Sequence, residues 1–139
     1  MSIDNEFKHN KAYLMRYRKI HTKIDRLKDK LNRLNDRYDL KGVSYSSEPS
    51  SSVKKTLDDV LAQKEYLENK LDEMISESID IRNEITEKLL DLDNQLEATV
   101  LDFYFLEQYS LNDIADELSY SDRQIERLYV DGIMSVECR

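Results

Sequence analysis

The chain contains few of the residues that sheet proteins and disulfide-bonded domains require. Its 139 residues include one cysteine, one proline, two glycines and no tryptophan. So few turn-forming residues leave little room for the tight turns between strands, and they favour long helices. The single cysteine, Cys138, cannot form an internal disulfide, which is typical of a protein from a reducing compartment. These scarcities predict an all-α protein.

Segments that direct a chain to or across a membrane are also missing from the sequence. Residues 1–6 lack the basic start and apolar run of a signal peptide. No stretch approaches the ~20 apolar residues that span a bilayer. We therefore expect a cytoplasmic protein with no membrane partner.

The net charge of −8 is distributed unevenly along the chain. Residues 1–41 carry twelve Lys or Arg and six acidic residues, a net charge of +6. Residues 42–92 carry a net charge of −6, and residues 93–139 a net charge of −8. Two successive segments of opposite charge suggest elements that lie against each other.

Apolar residues recur at steps of three or four over two stretches, the pattern of amphipathic or coiled-coil helices. Between them, about residues 41–52, one glycine, the only proline and several serines predict a flexible loop. We expect an antiparallel helical hairpin over 1–92, and a homodimer because two helices alone bury little surface. The first series is Leu14, Tyr17, Ile20, Ile24, Leu27, Leu31, Leu34 and Tyr38, and the second is Leu57, Val60, Lys64, Leu67, Leu71, Met74, Ser78, Ile81, Ile85, Leu89 and Leu92. Extra apolar residues at Leu61, Ile75 and Ile79 widen the second series.

Shorter helices are predicted in the last third of the chain. Short polar residues at 91–94 indicate a new N-cap, followed by a helix over 95–107. Two more helices are predicted over Leu111–Leu118 and Asp122–Val136. Ser110 is the expected cap of the first, while Ser121 with Gln124 three residues later forms a capping-box pattern at the second.

The three-residue link between the last two helices predicts an abrupt turn, as in a helix-turn-helix. We expect Tyr120 to fill the turn as an apolar plug. The outer face of the second helix then presents Arg123, Gln124 and Arg127. Arginine can bond guanine O6 and N7, and glutamine can bond adenine N6 and N7 in a major groove.

The stretch LDFYFLEQYSLNDIADELSYSDRQIERL, residues 101–128, resembles sigma-70 region-4-like helix-turn-helices. The motif is carried by Ile114–Ala115, Leu118, Tyr120–Ser121, Arg123–Ile125 and Arg127–Leu128. Such modules usually have glycine where this chain has Ser119. With its N-terminal coiled coil, the whole chain is similar to phage and prophage late transcription regulators of the RinA and ArpU type.

This resemblance implies a helix-turn-helix domain over 93–139 and binding of double-stranded DNA. The implied DNA-binding residues are Ser121, Arg123, Gln124 and Arg127. The acidic third segment supports an alternative, in which the module binds protein, for example RNA polymerase or a host factor, or acts as a DNA mimic. A further interpretation is that Arg123 and Arg127 only pair with Asp122, Glu126 or Asp131 on the helix surface.

No pattern in the sequence indicates an enzyme. His9 and His21 lack neighbours at metal-ligand spacing, and the two glycines, Gly42 and Gly132, form no phosphate loop. Cys138 has no nearby histidine that would activate it. We expect no catalytic residues, no metal, no cofactor and no small-molecule ligand.

Overall fold

The chain folds as an all-α protein, as its composition predicts. The computed structural model describes residues 2–38 and 51–138, with only the backbone of residues 51–56. These ranges contain helices and their connections, and no strand. Residues 41–50 of the predicted loop lie outside the described residues. The last two residues of that prediction begin a helix instead, since the second long helix starts at Ser51.

Two long helices make up most of the chain. The first, α1, covers Ile3–Tyr38, and the second, α2, covers Ser51–Leu90. α1 therefore begins eleven residues before the periodic series that predicts it. The two helices pack together as the expected pair.

Burial follows the predicted apolar series on both long helices, with a few differences. Leu14, Ile24, Val60 and Leu67 are among the buried members. Tyr38, which the series places on the apolar face, is 41% exposed. Leu61 and Ile79, the extra apolar residues beside the second series, are exposed as well.

Three shorter α-helices follow, α3 over Gln95–Leu101, α4 over Leu111–Leu118 and α5 over Asp122–Ser135. The bounds of α4 are as predicted, and α5 ends one residue early. Asn94 is the N-cap of α3, its side-chain oxygen accepting from the backbone N–H groups of Leu96 and Glu97. The predicted helix over 95–107 is interrupted, because residues 102–106 form a π-helical turn.

The described residues form two compact units. Unit 1 contains the residues up to Ile20 together with those from Ser78 onward, and unit 2 contains residues 21–77. The core of unit 1 combines α1 and α2 residues such as Leu14 and Ile85 with Phe105, Ile114 and Ile125 of the shorter elements. The sequence-based boundary between residues 92 and 93 remains a prediction, and within unit 1 the core continues across it.

Gly132 sits where α5 meets α3. A Cβ atom at this position would lie 3.1 Å from Leu101 Cδ1 and 3.3 Å from Glu97 Cβ. Leu101 is fully buried, so its side chain has little space into which it can move. Glycine thus permits the two helices to approach closely at this point.

None of the described helices is both long enough and apolar enough to cross a membrane.

Candidate nucleic-acid interface

The candidate site is built on α4, α5 and the turn between them. The Ser110 hydroxyl caps α4 by accepting from the N–H of Asp113 at 3.1 Å. α4 ends at Ser119, whose φ of 60° and ψ of 41° are left-handed. The N–H of Tyr120 then donates back to the Ala115 carbonyl at 3.0 Å. This left-handed residue permits the abrupt turn predicted from the short link.

The start of α5 is fixed by a complete capping box. Ser121 Oγ accepts from the N–H of Gln124 at 3.2 Å, and Gln124 Oε1 accepts from the N–H of Ser121 at 3.1 Å. The Ser121 hydroxyl also donates to Gln124 Oε1 at 3.0 Å. Ser121 and Gln124 therefore stabilise the helix start, which is a structural role beside the DNA contact that the resemblance implies.

Arg123 and Arg127 lie one turn apart on the exposed face of α5. Within the described part of the chain neither guanidinium has a hydrogen bond, an ion pair or a ring contact. The interpretation that they pair with Asp122, Glu126 or Asp131 on the helix surface is therefore not supported. Both side chains are available to an external ligand.

The three other described arginines of unit 1 are used internally. Arg16 Nη2 lies 2.6 Å from Glu84 Oε2, and this hydrogen bond lowers the pKa of the Glu84 carboxyl. Arg82 Nη2 lies 2.7 Å from Glu107 Oε1.

The third, Arg18, holds the irregular segment that precedes α4. Its Nε donates to the Tyr104 carbonyl at 2.9 Å and its Nη2 to the Tyr109 carbonyl at 3.3 Å. Its guanidinium also stacks on the Tyr104 ring, 4.1 Å from the centroid. The π-helical turn and the left-handed Gln108 leave carbonyls there without helical donors, and Arg18 supplies two of the missing donors.

An aromatic cluster supports the inner face of α5. The ring of Tyr129 packs edge-on against Tyr104 at 4.9 Å between centroids and stacks on Phe105 at 5.9 Å. Burial raises the pKa of the Tyr129 phenol well above its ordinary value. Phe105 therefore belongs to the core of unit 1, and Tyr104 packs against it.

The structure does not support the predicted plug. Tyr120 is 38% exposed, because the left-handed turn at Ser119 directs the chain away from the core before α5 begins. Ile114 and Ala115 of α4 and Ile125 of α5 fill the contact between the helices.

The surface around the two arginines is acidic. The segment from Leu111 to Ser135 has six acidic residues and two arginines, a net charge of −4. Asp113, Asp116 and Glu117 are exposed on α4. The helix-turn-helix itself thus carries few groups for phosphate contacts.

The described residues bring together no group of three His, Cys, Asp or Glu side chains that could hold a metal. His21 Nδ1 lies 3.8 Å from Asp25 Oδ2 on the same helix. Burial raises the pKa of the Cys138 thiol, which disfavours its reactive thiolate. That the protein is not an enzyme remains a prediction.

Sequence reasoning missed Asn10 and Arg18, two α1 residues whose side chains donate hydrogen bonds to backbone carbonyls of the C-terminal segment. Asn10 is buried, and its side-chain amide donates to the carbonyls of Ile133 and Val136. Its spacing from Leu14 and Tyr17 continues the apolar series backward by one step. A polar residue in register with an apolar face was therefore the signal for a buried hydrogen-bonded group.

Comparison of the chain with protein-family models, with curated proteins and with solved structures found no match.

Proposed function

We propose that this chain is a phage-type transcription regulator that binds double-stranded DNA through the helix-turn-helix formed by α4 and α5. The observation that carries the proposal is that the described arginines of unit 1 fall into two groups, those with internal contacts and those without. Arg16, Arg18 and Arg82 are held by internal contacts, whereas Arg123 and Arg127 have none among the described residues. Two arginines kept unpaired on an acidic surface suit an external anionic or hydrogen-bond-accepting ligand.

In this proposal the N-terminal half of α5 enters the major groove. Arg123 and Arg127 would each donate two hydrogen bonds to a guanine, since a guanidinium matches O6 and N7. Gln124 has an amide donor beyond the oxygen it uses in the capping box, so it would read an adjacent adenine. Ser121, at the helix start, would lie nearest the phosphate backbone, where helix N-termini favour anions.

We further propose that the regulator acts as a homodimer through its long helices. Support comes from apolar side chains on α2 that the single chain leaves in water, namely Leu61, Ile79 and Leu90. A symmetric dimer would present two α5 helices to paired half-sites. Light scattering at micromolar concentration tests this part, and a monomer mass would contradict it.

DNA selection tests the main proposal. The purified chain is incubated at low salt with a random duplex library, and bound fragments are sequenced. We expect enrichment of one sequence with paired half-sites. The double variant Arg123→Ala/Arg127→Ala should lose that preference, with each lost base contact costing about 1–3 kcal/mol of discrimination.

A matched control removes two positive charges elsewhere in unit 1. Lys8 and Lys19 are exposed on α1, and Lys8→Ala/Lys19→Ala changes the net charge equally. This control should retain the sequence preference. If the Arg123/Arg127 variant bound the selected sequence as tightly as the parent chain, the groove-reading assignment would be wrong.

A second candidate function is binding to a protein through the acidic surface. It is favoured by the exposed Asp113, Asp116 and Glu117 and by the net charge of −4 over the two helices. Purified RNA polymerase is the partner to test. Binding to the polymerase that is lost on Asp113→Asn/Asp116→Asn/Glu117→Gln, without any DNA preference, would favour this candidate over the first.

A further inference from the structure

Five basic residues form a single line along α1 within unit 2. Successive members are three, four, three and four residues apart, so all of them fall on one side of the helix. Every one of these side chains is exposed. The line covers about 21 Å at 1.5 Å per residue. The members of this basic stripe are Lys23, Arg26, Lys30, Arg33 and Arg37.

Packing within the fold does not account for the basic stripe. Among the described residues, none of the five takes part in an ion pair, although Arg37 lies over the Tyr38 ring at 5.9 Å. Like charges at these spacings repel one another, at a cost of about 0.2–0.5 kcal/mol per pair in a helix. Apart from the contact of Arg37 with Tyr38, the contacts that the structure describes do not offset this repulsion.

A continuous line of charge matches a partner with regularly spaced charges of the opposite sign. Double-stranded DNA carries about one phosphate charge per 1.7 Å of its axis, so roughly a dozen lie along the length of the stripe. The segment from Leu111 to Ser135 has a net charge of −4, and Arg123 and Arg127 are its only basic residues. A regulator with such a module needs phosphate-binding groups elsewhere on the chain.

We infer that the basic stripe on α1 binds the phosphate backbone of duplex DNA, without reading its sequence. The choice of duplex DNA as the ligand rests on the proposed function. Under this inference the stripe supplies affinity, while Arg123 and Arg127 supply sequence preference.

An anionic lipid surface is the main competing ligand for a basic helix. Helices that lie on membranes insert an apolar face into the lipid beside their basic residues. The apolar face of this part of α1 is already used, since Ile24 and Leu31 are buried. The burial of that face favours DNA over a membrane.

The test compares two triple variants of the full chain. The stripe variant is Lys23→Gln/Arg26→Gln/Lys30→Gln. The control is Lys28→Gln/Lys64→Gln/Lys70→Gln, which has the same change of net charge within unit 2 but lies off the stripe. Dissociation constants for a selected and a random duplex are measured over a range of salt concentrations. Circular dichroism checks that both variants remain helical.

Each phosphate contact contributes about 0.9 to the slope of log affinity against log salt. We expect the stripe variant to reduce the magnitude of that slope by about 2.7. Its affinity for both duplexes should fall by the same factor, at least about tenfold at low salt. The control should leave the slope unchanged. An unchanged slope in the stripe variant, or an equal fall in the control, would overturn the inference.

The two proposals fail in distinguishable ways. If Arg123 and Arg127 do not read DNA but the stripe binds it, the chain will bind all duplexes equally and lose that binding in the stripe variant. If only the stripe inference is wrong, sequence preference will persist with an unaltered salt dependence. Binding to vesicles rich in phosphatidylserine, without binding to either duplex, would overturn the inference in favour of a membrane ligand.

Discussion

The side-chain amide of Asn10 donates to two carbonyl oxygens at the end of α5, that of Ile133 at 2.9 Å and that of Val136 at 3.0 Å. Asn10 is only 3% exposed, so water does not replace these bonds. The last carbonyls of a helix lack the usual donors from a following turn. The N–H of Val136 donates to the Ile133 carbonyl at 3.3 Å, and Asn10 adds a second donor there and supplies one to the Val136 carbonyl. One residue near the start of the chain therefore completes the far end of the helix that carries Arg123 and Arg127.

Replacing Asn10 by leucine should destabilise the protein. Leucine has a similar size but donates no hydrogen bond, so the Val136 carbonyl would lose its donor, while the Ile133 carbonyl would keep the N–H of Val136. One buried carbonyl left without a partner costs about 1–3 kcal/mol. Urea denaturation followed by circular dichroism measures the loss in the free energy of unfolding. His9→Ala changes the exposed neighbour and should have little effect. Equal stability of Asn10→Leu and the parent chain would show that these hydrogen bonds contribute nothing net.

Replacing Ser119 by glycine should stabilise the protein. Ser119 has a φ of 60°, a left-handed conformation in which a Cβ atom costs about 1–2 kcal/mol. Glycine removes this cost, but its greater conformational freedom in the unfolded chain offsets part of the effect. The free energy of unfolding should therefore rise by about 0.5–1 kcal/mol. The midpoint of thermal unfolding measures the effect and should be higher in the glycine variant. Ser119→Ala keeps the Cβ atom and should show no gain, and a gain as large as that of glycine would contradict the strain argument.

Elements set by local periodicity were predictable from the sequence. α4 and the capping box at Ser121 and Gln124 appear as expected because both depend on residues at most a few positions apart. The apolar series of α1 and α2 was predictable for the same reason. The structure thus confirms the helical architecture of the candidate site, while the DNA contact remains a prediction.

Features set by contacts between distant parts of the chain were not predictable. The π-helical turn at 102–106 is contacted by Arg18, which is more than eighty residues earlier and donates to the Tyr104 carbonyl. Tyr120 looked like a core residue by its aromatic ring, yet the left-handed turn at Ser119 exposes it. The total charge of the N-terminal segment was visible in the sequence. Only the structure shows that the residues of the basic stripe on α1 form no ion pair with other described residues.

Replacing Asp102 by asparagine should raise stability at neutral pH and not at low pH. Burial, with repulsion from Glu107, raises the pKa of the Asp102 carboxyl above its ordinary value of 3.8, although Arg82 opposes the shift. The folded state therefore binds this proton more tightly than the unfolded state, and stability falls as the pH rises from 3.8 through the folded pKa. Asparagine is neutral at every pH and avoids that loss.

Urea titrations of Asp102→Asn and the parent chain at pH 7 and at the lowest pH where both remain folded measure this dependence. The advantage of the variant should shrink as the pH falls toward 3.8. An advantage of equal size at both pH values would mean that the asparagine acts through a new hydrogen bond and not through the missing charge.

Replacing Gln124 by glutamate should separate the structural role of this position from its proposed DNA contact. A glutamate oxygen can accept from the Ser121 N–H as the glutamine oxygen does, at 3.1 Å, and the capping box also accommodates glutamate. Its negative charge at the start of α5 is favoured by the helix dipole. The thermal midpoint should therefore stay equal or rise slightly.

The same substitution should weaken binding to the selected DNA. Glutamate has no amide donor for adenine N7, and its charge is repelled by the phosphates. Gln124→Ala is the matched control, because it removes both the capping oxygen and the donor and should lower stability as well as affinity. If Gln124→Glu bound the selected DNA as well as the parent chain, Gln124 would have only its capping role, and Arg123 and Arg127 alone would remain as the proposed base-reading residues.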